Sequence, residues 1–455
     1  MKPRLGLLCL LLVPLVGCTA IPENSPSAAP GESNGAQSTA ASSALPTATE
    51  GTTAAPTNSA EVPATKPPQT TAPTVEPTSE PTTEPTVEPT AEPTETPTTE
   101  PTSTPSSEWT AAELVAGGKF AEPVVAIDSA GYVHVAAAGN GSDNRGIWYF
   151  TNASGAWATK RVTIAPPSSG SYLGEEYDGE PSIALDTDGS VWIAFTRWTC
   201  GACAPNPSDG VFYVTNSSGD WSDPTQVAGA QFNSPSLVAR DGAFYIALAQ
   251  GMVPGRSSYP IWYGNLTALA IAQIAHNGNS PTLYVDPAGR ADVLFADNDV
   301  RFATQTGDGS FDIQFIAGSK GGFSPLLSVN DEASRVFAAW DGYSADAEHL
   351  NVYVAELLPG GWSDPVLAMS DTDLTGLAVG ADGIVHIVGA NGAVDSGNEL
   401  LYASNAGGEY ATTTLSVSGG YDSALAVNGQ AANVVYAVDS GGKQGVWFLV
   451  GPTGI

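Results

Sequence analysis

The 455-residue chain is short of positive charge: 15 Lys and Arg stand against 47 Asp and Glu, a formal net charge of −32. That deficit excludes nucleic-acid binding, which needs a basic patch to displace counterions. It also excludes adhesion of the folded part to anionic lipid. Histidine is scarce, at 4 residues, and no nucleophile-elbow motif is present, which leaves serine-hydrolase chemistry without its parts. Cysteine is scarcer than a disulfide scaffold requires: the four are Cys9, Cys18, Cys200 and Cys203. After residue 16 no run is long and apolar enough for a spanning helix. Residues 19–107 contain no aromatic residue at all. Such a stretch cannot bury enough apolar surface to offset the entropy of ordering, so it is expected to be a disordered linker.

Three regions follow. Residues 1–18 open with a basic Met1-Lys2-Pro3-Arg4 and an apolar Leu5–Val16, the layout of an export signal. The segment ends Leu15-Val16-Gly17-Cys18, which resembles the lipobox of bacterial lipoproteins. The resemblance implies cleavage before Cys18, lipid attachment at Cys18, and a location at the bacterial cell membrane, facing outward. Residues 19–107 are the linker, in which proline recurs every fourth residue from Pro73 to Pro105. That period favours an extended polyproline rod rising about 3.1 Å per residue. It reads as a stalk.

Residues 108–455 are a repeat. Its first half is an alternating apolar strand, a tight turn and a second strand, as in EPVVAIDSAGYVHVAAAG from Glu122 and EPSIALDTDGSVWIAFTR from Glu180. Further copies start at Ser234, Ser280, Ser324, Leu374 and Tyr421. The second half is another hairpin, as in GVFYVTNSSGDWSDPTQV from Gly210, with Trp157, Trp221 and Trp362 in one shared place after the turn. These tryptophans are expected to pack between units. Seven first halves are present, but the last second half stops after its third strand. Glu108-Trp109-Thr110 to Val115 aligns with Asp220-Trp221-Ser222 to Val227, so the missing strand is at the other end of the domain. The expected fold is all-β: a seven-bladed β-propeller of four-stranded blades, closed by the N-terminal strand (residues 108–118) completing the last blade. About 348 residues over seven blades give about 50 per blade, which suits that architecture.

The turn Thr215-Asn216-Ser217-Ser218-Gly219-Asp220-Trp221 resembles the Asp-box turn of sialidase-like propellers. The box's aspartate is absent from its place and the Phe/Tyr-Arg-Ile-Pro motif is missing. What the resemblance implies is blade architecture, of the kind carried by uncharacterised bacterial surface propellers.

Longer and more varied loops on one face, the top, are expected to hold the function, while tight Asp/Gly and Ser-Gly turns make a plain bottom face. The top loops of neighbouring blades supply Glu175, Glu176, Tyr177, Asp178 and Glu180, then Arg197 and Trp198, then Arg256 and Tyr259. Carboxylates and arginine bond sugar hydroxyls and aromatic faces stack on the ring, so these are the candidate ligand-binding residues. Cys200 and Cys203 are expected to form a small disulfide within one loop, as suits an exported chain. Glu122 and Glu180 hold matching positions in adjacent blades and are the candidate catalytic pair, since a glycosidase needs two carboxyl groups. No cofactor and no metal site is expected. Calcium is the one ion left open, at Asp186-Thr187-Asp188-Gly189 or at Asp341, Asp346 and Glu348. The sequence thus favours a monomeric, lipid-anchored binding propeller for an extracellular glycan or protein. A glycoside hydrolase or lyase, and a structural surface scaffold, are the alternatives.

Overall fold

The computed structural model describes residues 108–164, 177–198, 208–251, 259–268, 270–344, 349–391, 399–416, 420, 422–429, 431–438 and 443–452, all within the unit Pro101–Ile455. Cys18, the linker, Glu175, Glu176, Arg256 and the Cys200–Cys203 pair lie outside the described residues.

The first strand, β1 (Glu113–Gly117), is set apart from its sequence neighbours. Blade 1 follows as β2 (Phe120–Ile127), β3 (Val133–Gly139), β4 (Gly146–Thr151) and β5 (Ala158–Arg161). Blade 2 is β6 (Tyr177–Leu185), β7 (Val191–Trp198), β8 (Gly210–Thr215) and β9 (Thr225–Ala228). Blade 3 is β10 (Phe232–Arg240), β11 (Ala243–Gln250), β12 (Ile261–Asn265) and β13 (Ala270–Ala275). Blade 4 is β14 (Asn279–Val285), β15 (Ala291–Ala296), β16 (Val300–Gln305) and β17 (Phe311–Phe315). Blade 5 is β18 (Phe323–Asn330), β19 (Arg335–Tyr343) and β20 (Leu350–Leu358), with its outer strand split into β21 (Gly361–Trp362) and β22 (Val366–Ser370). Blade 6 is β23 (Asp373–Val379), β24 (Val385–Asn391), β25 (Glu399–Ser404) and β26 (Ala411–Ser416). Blade 7 is β27 (Ser423–Asn428), β28 (Ala431–Val438) and β29 (Gly445–Val450), and β1 adds to β29 as its fourth strand. The architecture is a seven-bladed antiparallel β-propeller closed by its N-terminal strand, as the repeat requires. Among the described residues no helix is long and apolar enough to cross a membrane.

The turns explain the hairpins. In blade 1 the Asp128 side chain accepts the backbone N–H groups of Ala130 and Tyr132, and Gly131 takes φ of 87°, a conformation that favours glycine. The calcium-like segment is the same turn: Asp186 Oδ1 accepts the Thr187 N–H and Asp188 Oδ1 the Ser190 N–H. Among the described residues no three His, Cys, Asp or Glu side chains gather as metal ligands. Asp346 and Glu348 lie outside the described residues.

The core is divided rather than central. Seven apolar clusters form, each from two neighbouring blades. At four of these junctions a tryptophan beside the outer strand bridges the two blades. Trp221 of blade 2 packs on Tyr149 of blade 1 at 5.1 Å, and Trp362 of blade 5 on Phe302 of blade 4 at 5.1 Å. Trp157 of blade 1 packs on Phe448 of blade 7 at 5.3 Å, and Trp109 on Tyr402 of blade 6 at 4.8 Å. The Trp109 contact confirms the alignment of Glu108–Val115 with Asp220–Val227. His134 and His386 are scaffold: each ring Nδ1 lies 2.6 Å from the hydroxyl of Tyr149 or Tyr402 in its own blade. Burial holds His386 down at about 4.

Candidate functional site

A repeated local device shapes the central channel. Glu122, Glu180, Ser234, Ser280 and Ser324 all have φ between 47° and 52°, and each precedes a proline. A positive φ is uncommon for residues other than glycine and persists only where the surroundings enforce it. Each falls where the innermost strand slips register against its neighbour, as between Ala121 and Val124 and between Gly179 and Ser182. Proline suits the bulge because it has no N–H to leave unpaired. The bulge turns the preceding N–H toward the blade before it, where a side chain accepts it. The Asp422 carboxylate takes the Glu122 N–H at 3.1 Å, Glu122 Oε2 takes the Glu180 N–H at 2.6 Å, and Glu180 Oε2 takes the Ser234 N–H at 2.7 Å. In blade 5 a serine stands at the glutamate's place, and Asp341 of β19 supplies the carboxyl instead, accepting the Leu374 N–H at 2.7 Å.

The remaining junctions are joined a little further along the same strands. Ser236 Oγ accepts the Leu283 N–H at 2.9 Å, and Thr282 donates to the Pro325 carbonyl at 2.7 Å. The Thr375 and Ser423 hydroxyls meet at 2.5 Å. Each of the seven junctions therefore carries a channel-side hydrogen bond.

The sequence-derived candidates fall into three groups. Glu122, Glu180, Tyr177 and Trp198 come together: the Tyr177 hydroxyl donates to Glu122 at 3.1 Å, and the Tyr177 ring stacks on Trp198 at 5.7 Å and 9°. The Glu122 and Glu180 carboxylates are engaged in joining blades, with Thr196 also donating to Glu180 at 3.0 Å. Asp178 and Arg197 form a closed pair in β6 and β7, 0% and 7% exposed, with contacts of 2.6 and 2.8 Å. Thr163 adds a bond to Asp178 at 2.6 Å. The Arg197 guanidinium also lies over Phe212 at 5.0 Å. Tyr259 is half-buried just before β12, apart from the first two groups in sequence.

What sequence reasoning missed lies across the ring. A cavity of about 320 Å³ opens at the top of the channel between blades 5, 6, 7 and 1. Glu122, Asp341, Asp373 and Asp422 supply its carboxyl groups, and Phe323, Leu350 and Leu374 its apolar wall. Tyr343, 52% exposed, tilts against Phe323 at 5.7 Å. Asp341 is in strand β19 rather than the loop its neighbours suggested. A second cavity of about 260 Å³ runs along the channel wall past Glu180, Ser234, Ser280 and Ser324.

Burial raises the Glu122 and Glu180 carboxyls above the ordinary range, and at Glu122 the nearby Glu180 and Asp422 carboxyls act in the same direction. Burial, with a contribution from Asp373, pushes Asp341 from 3.8 up to about 8. An acid that holds its proton more tightly when folded lends stability below its unfolded value and loses it as pH rises through its folded one. Asp341→Asn, which keeps the acceptor for Leu374 without the ionisation, is therefore expected to raise the Tm relative to the native chain at pH 9. At pH 4 the gap should close. A difference in Tm that is the same at both pH values would refute the assignment.

No protein-family profile matches the chain, and no curated protein is similar to it in sequence. Solved structures do match. An ulvan lyase, described as a new family of polysaccharide lyase and also solved bound to -[GlcA(1-4)Rha3S]-, aligns with 74% of this chain and 95% of its own at 12% identity and a TM-score of 0.51. A protein of unknown function from Dyadobacter fermentans aligns over 74% and 98% at 12% identity, TM-score 0.43. A Trypanosoma rangeli sialidase aligns over 74% and 55% at 12% identity, TM-score 0.41. At such identity the likeness is one of fold alone.

Proposed function

We propose that the protein is a lipid-anchored surface propeller that binds an extracellular glycan at the channel mouth. The observation that carries the reading is the combination in one cavity of Phe323 with the carboxyl groups of Glu122, Asp341, Asp373 and Asp422. A pyranose ring stacks on an aromatic face while its hydroxyls bond carboxyl groups. The described lining holds no basic residue, and the chain as a whole is strongly acidic. Neutral sugars and amino sugars suit it; uronates and sulfated sugars are repelled. Cys18 supplies the anchor and residues 19–107 the reach in this reading.

Phe323→Ala is expected to weaken glycan binding by at least tenfold on a glycan array and by calorimetry, with the Tm within a few degrees of the native value. Undiminished binding would remove the cavity from the reading. No glycan bound by the native chain would leave the structural scaffold.

Catalysis is the second reading. An acid held protonated at neutral pH beside a further carboxyl group is the equipment of a glycosidase, and Asp341 and Glu122 line the same cavity. New reducing ends or unsaturated sugars released by the native chain, and not by Asp341→Asn, would favour the enzyme over the binder.

A further inference from the structure

The bottom face, plain by its turns, contains a cleft of about 570 Å³ between blades 3 and 4. Its origin is in two departures from the repeat that meet at one junction. In blades 1 and 6 the third-strand tyrosine, Tyr149 or Tyr402, gives its hydroxyl to a histidine of the second strand and its ring to a tryptophan of the next blade. In blade 3 the tyrosine is Tyr263, the histidine's place holds Tyr245, and the tryptophan's place in blade 4 holds Phe311. Phe311 still meets Tyr263 edge to face at 5.4 Å, but a phenyl ring covers less of it than an indole. Tyr245 and Tyr263 lie parallel, 6.3 Å apart with 1° between their planes.

The polar groups around the rings are neutral. Asn265 and Gln305 line the cleft, and each has its amide oxygen fixed by backbone: Asn265 accepts from Thr267 at 2.7 Å, and Gln305 from Ala291 at 3.2 Å. That orientation presents the NH2 end of each as a donor. Gln273 and Ser310 complete the rim. Burial and the neighbouring Tyr245 push the Tyr263 hydroxyl up to about 12, so it remains a donor across the working pH range. No charged residue is in the described lining. The volume falls within the range of small-ligand sites, roughly 300–1,000 Å³.

We infer that the blade 3–blade 4 cleft is a second ligand site, taking a neutral oligosaccharide whose rings lie against Tyr245, Tyr263 and Phe311 and whose hydroxyls meet Asn265 and Gln305. It is separate from the channel mouth, on the opposite face, and does not depend on the reading of that site. Unlike the mouth, it offers no carboxyl group, so its ligand is recognised by stacking and amide hydrogen bonds alone.

Phe311→Trp tests this, because it rebuilds the packing that the sister junctions already use and is expected to fold. The full chain is titrated calorimetrically with cellotetraose, xylotetraose and mannotetraose. Binding of at least one probe is expected, and Phe311→Trp should weaken it by at least about tenfold, equivalent to about 1.4 kcal/mol. Tyr245→His, which restores the histidine–tyrosine bond of blades 1 and 6, should weaken it too and serves if the first variant fails to fold. The inference is overturned if none of the three probes binds the native chain, or if both variants bind as well as it does. It is also overturned if binding survives Phe311→Trp but is lost in Phe323→Ala, which would place the probe at the channel mouth.

Discussion

A chain beginning at Lys119 is expected not to yield a soluble monomer. β1 covers the edge of β29, whose sequence GVWFLV is apolar and strongly β-forming. Beyond the ladder, Thr110 exchanges bonds with Val450 at 2.9 Å each way. Trp109 fills the junction of blades 6 and 7 so closely that a Cβ at Gly451 would meet its ring at 2.9 Å. Trp109 is partly buried, and losing its packing together with the β1 ladder is expected to cost about 3 kcal/mol or more, against about 3–5 kcal/mol for a fully buried indole alone. That is a large share of the roughly 5–15 kcal/mol by which a domain is stable. The uncovered edge is then a template for pairing with a second chain. Size-exclusion chromatography should show aggregate or oligomer. Appending residues 108–118 after Ile455 through a short Gly/Ser linker should restore the monomer, because only the order of the strands changes and not their pairing. A truncated chain that elutes as a monomer and melts like the native one would contradict the closure.

The second large effect is expected at Arg197. Replacing it with methionine keeps much of its apolar length but leaves the Asp178 carboxylate, 0% exposed, with Thr163 and without its cation. Removing one partner of a buried ion pair destabilises by about 3–5 kcal/mol, because the desolvated charge that remains is no longer compensated. The midpoint of urea unfolding should fall accordingly. Adding Asp178→Asn to Arg197→Met removes that charge and should recover part of the loss. A midpoint for Arg197→Met within error of the native one would mean that the pair adds nothing. Because Asp178 and Arg197 are closed on each other, any loss of ligand binding in these variants should follow the loss of folded protein.

The repeat made the blades legible. Alternation within strands, Asp-x-x-Gly turns and the recurring tryptophan are local signals, and the offset of Trp109 revealed which strand closes the ring. The site was less legible because the channel assembles residues from blades far apart in sequence. Glu122 and Glu180 were visible as matching residues before proline. That each carboxylate accepts an N–H from the following blade depends on the positive φ of the bulge, which no residue of itself announces. Asp341 was harder still, because it does for blade 5 from the second strand what Glu122 and Glu180 do from the first. The top loops of blades 1 to 3 drew attention through their length and charge. Two of their residues, Asp178 and Arg197, prove to neutralise one another inside blade 2. The signal for the bottom cleft was in the sequence as Phe311 after Gly309-Ser310, where other units carry tryptophan, but a single missing indole gains meaning only beside Tyr245 and Tyr263.

The channel-side carboxyl bonds all run one way: the acceptor of one blade holds the N–H of the blade after it, including the step from Asp422 of the last blade to Glu122 of the first. In an open stack of repeats, an end unit has one neighbour and frays first. Here no blade is an end. Releasing any one of them breaks two apolar junctions at once and opens the circuit for all the rest. Hydrogen exchange at Glu122, Glu180, Ser234 and Leu374 should therefore report a common opening of the whole ring, with protection that does not grade from one terminus to the other.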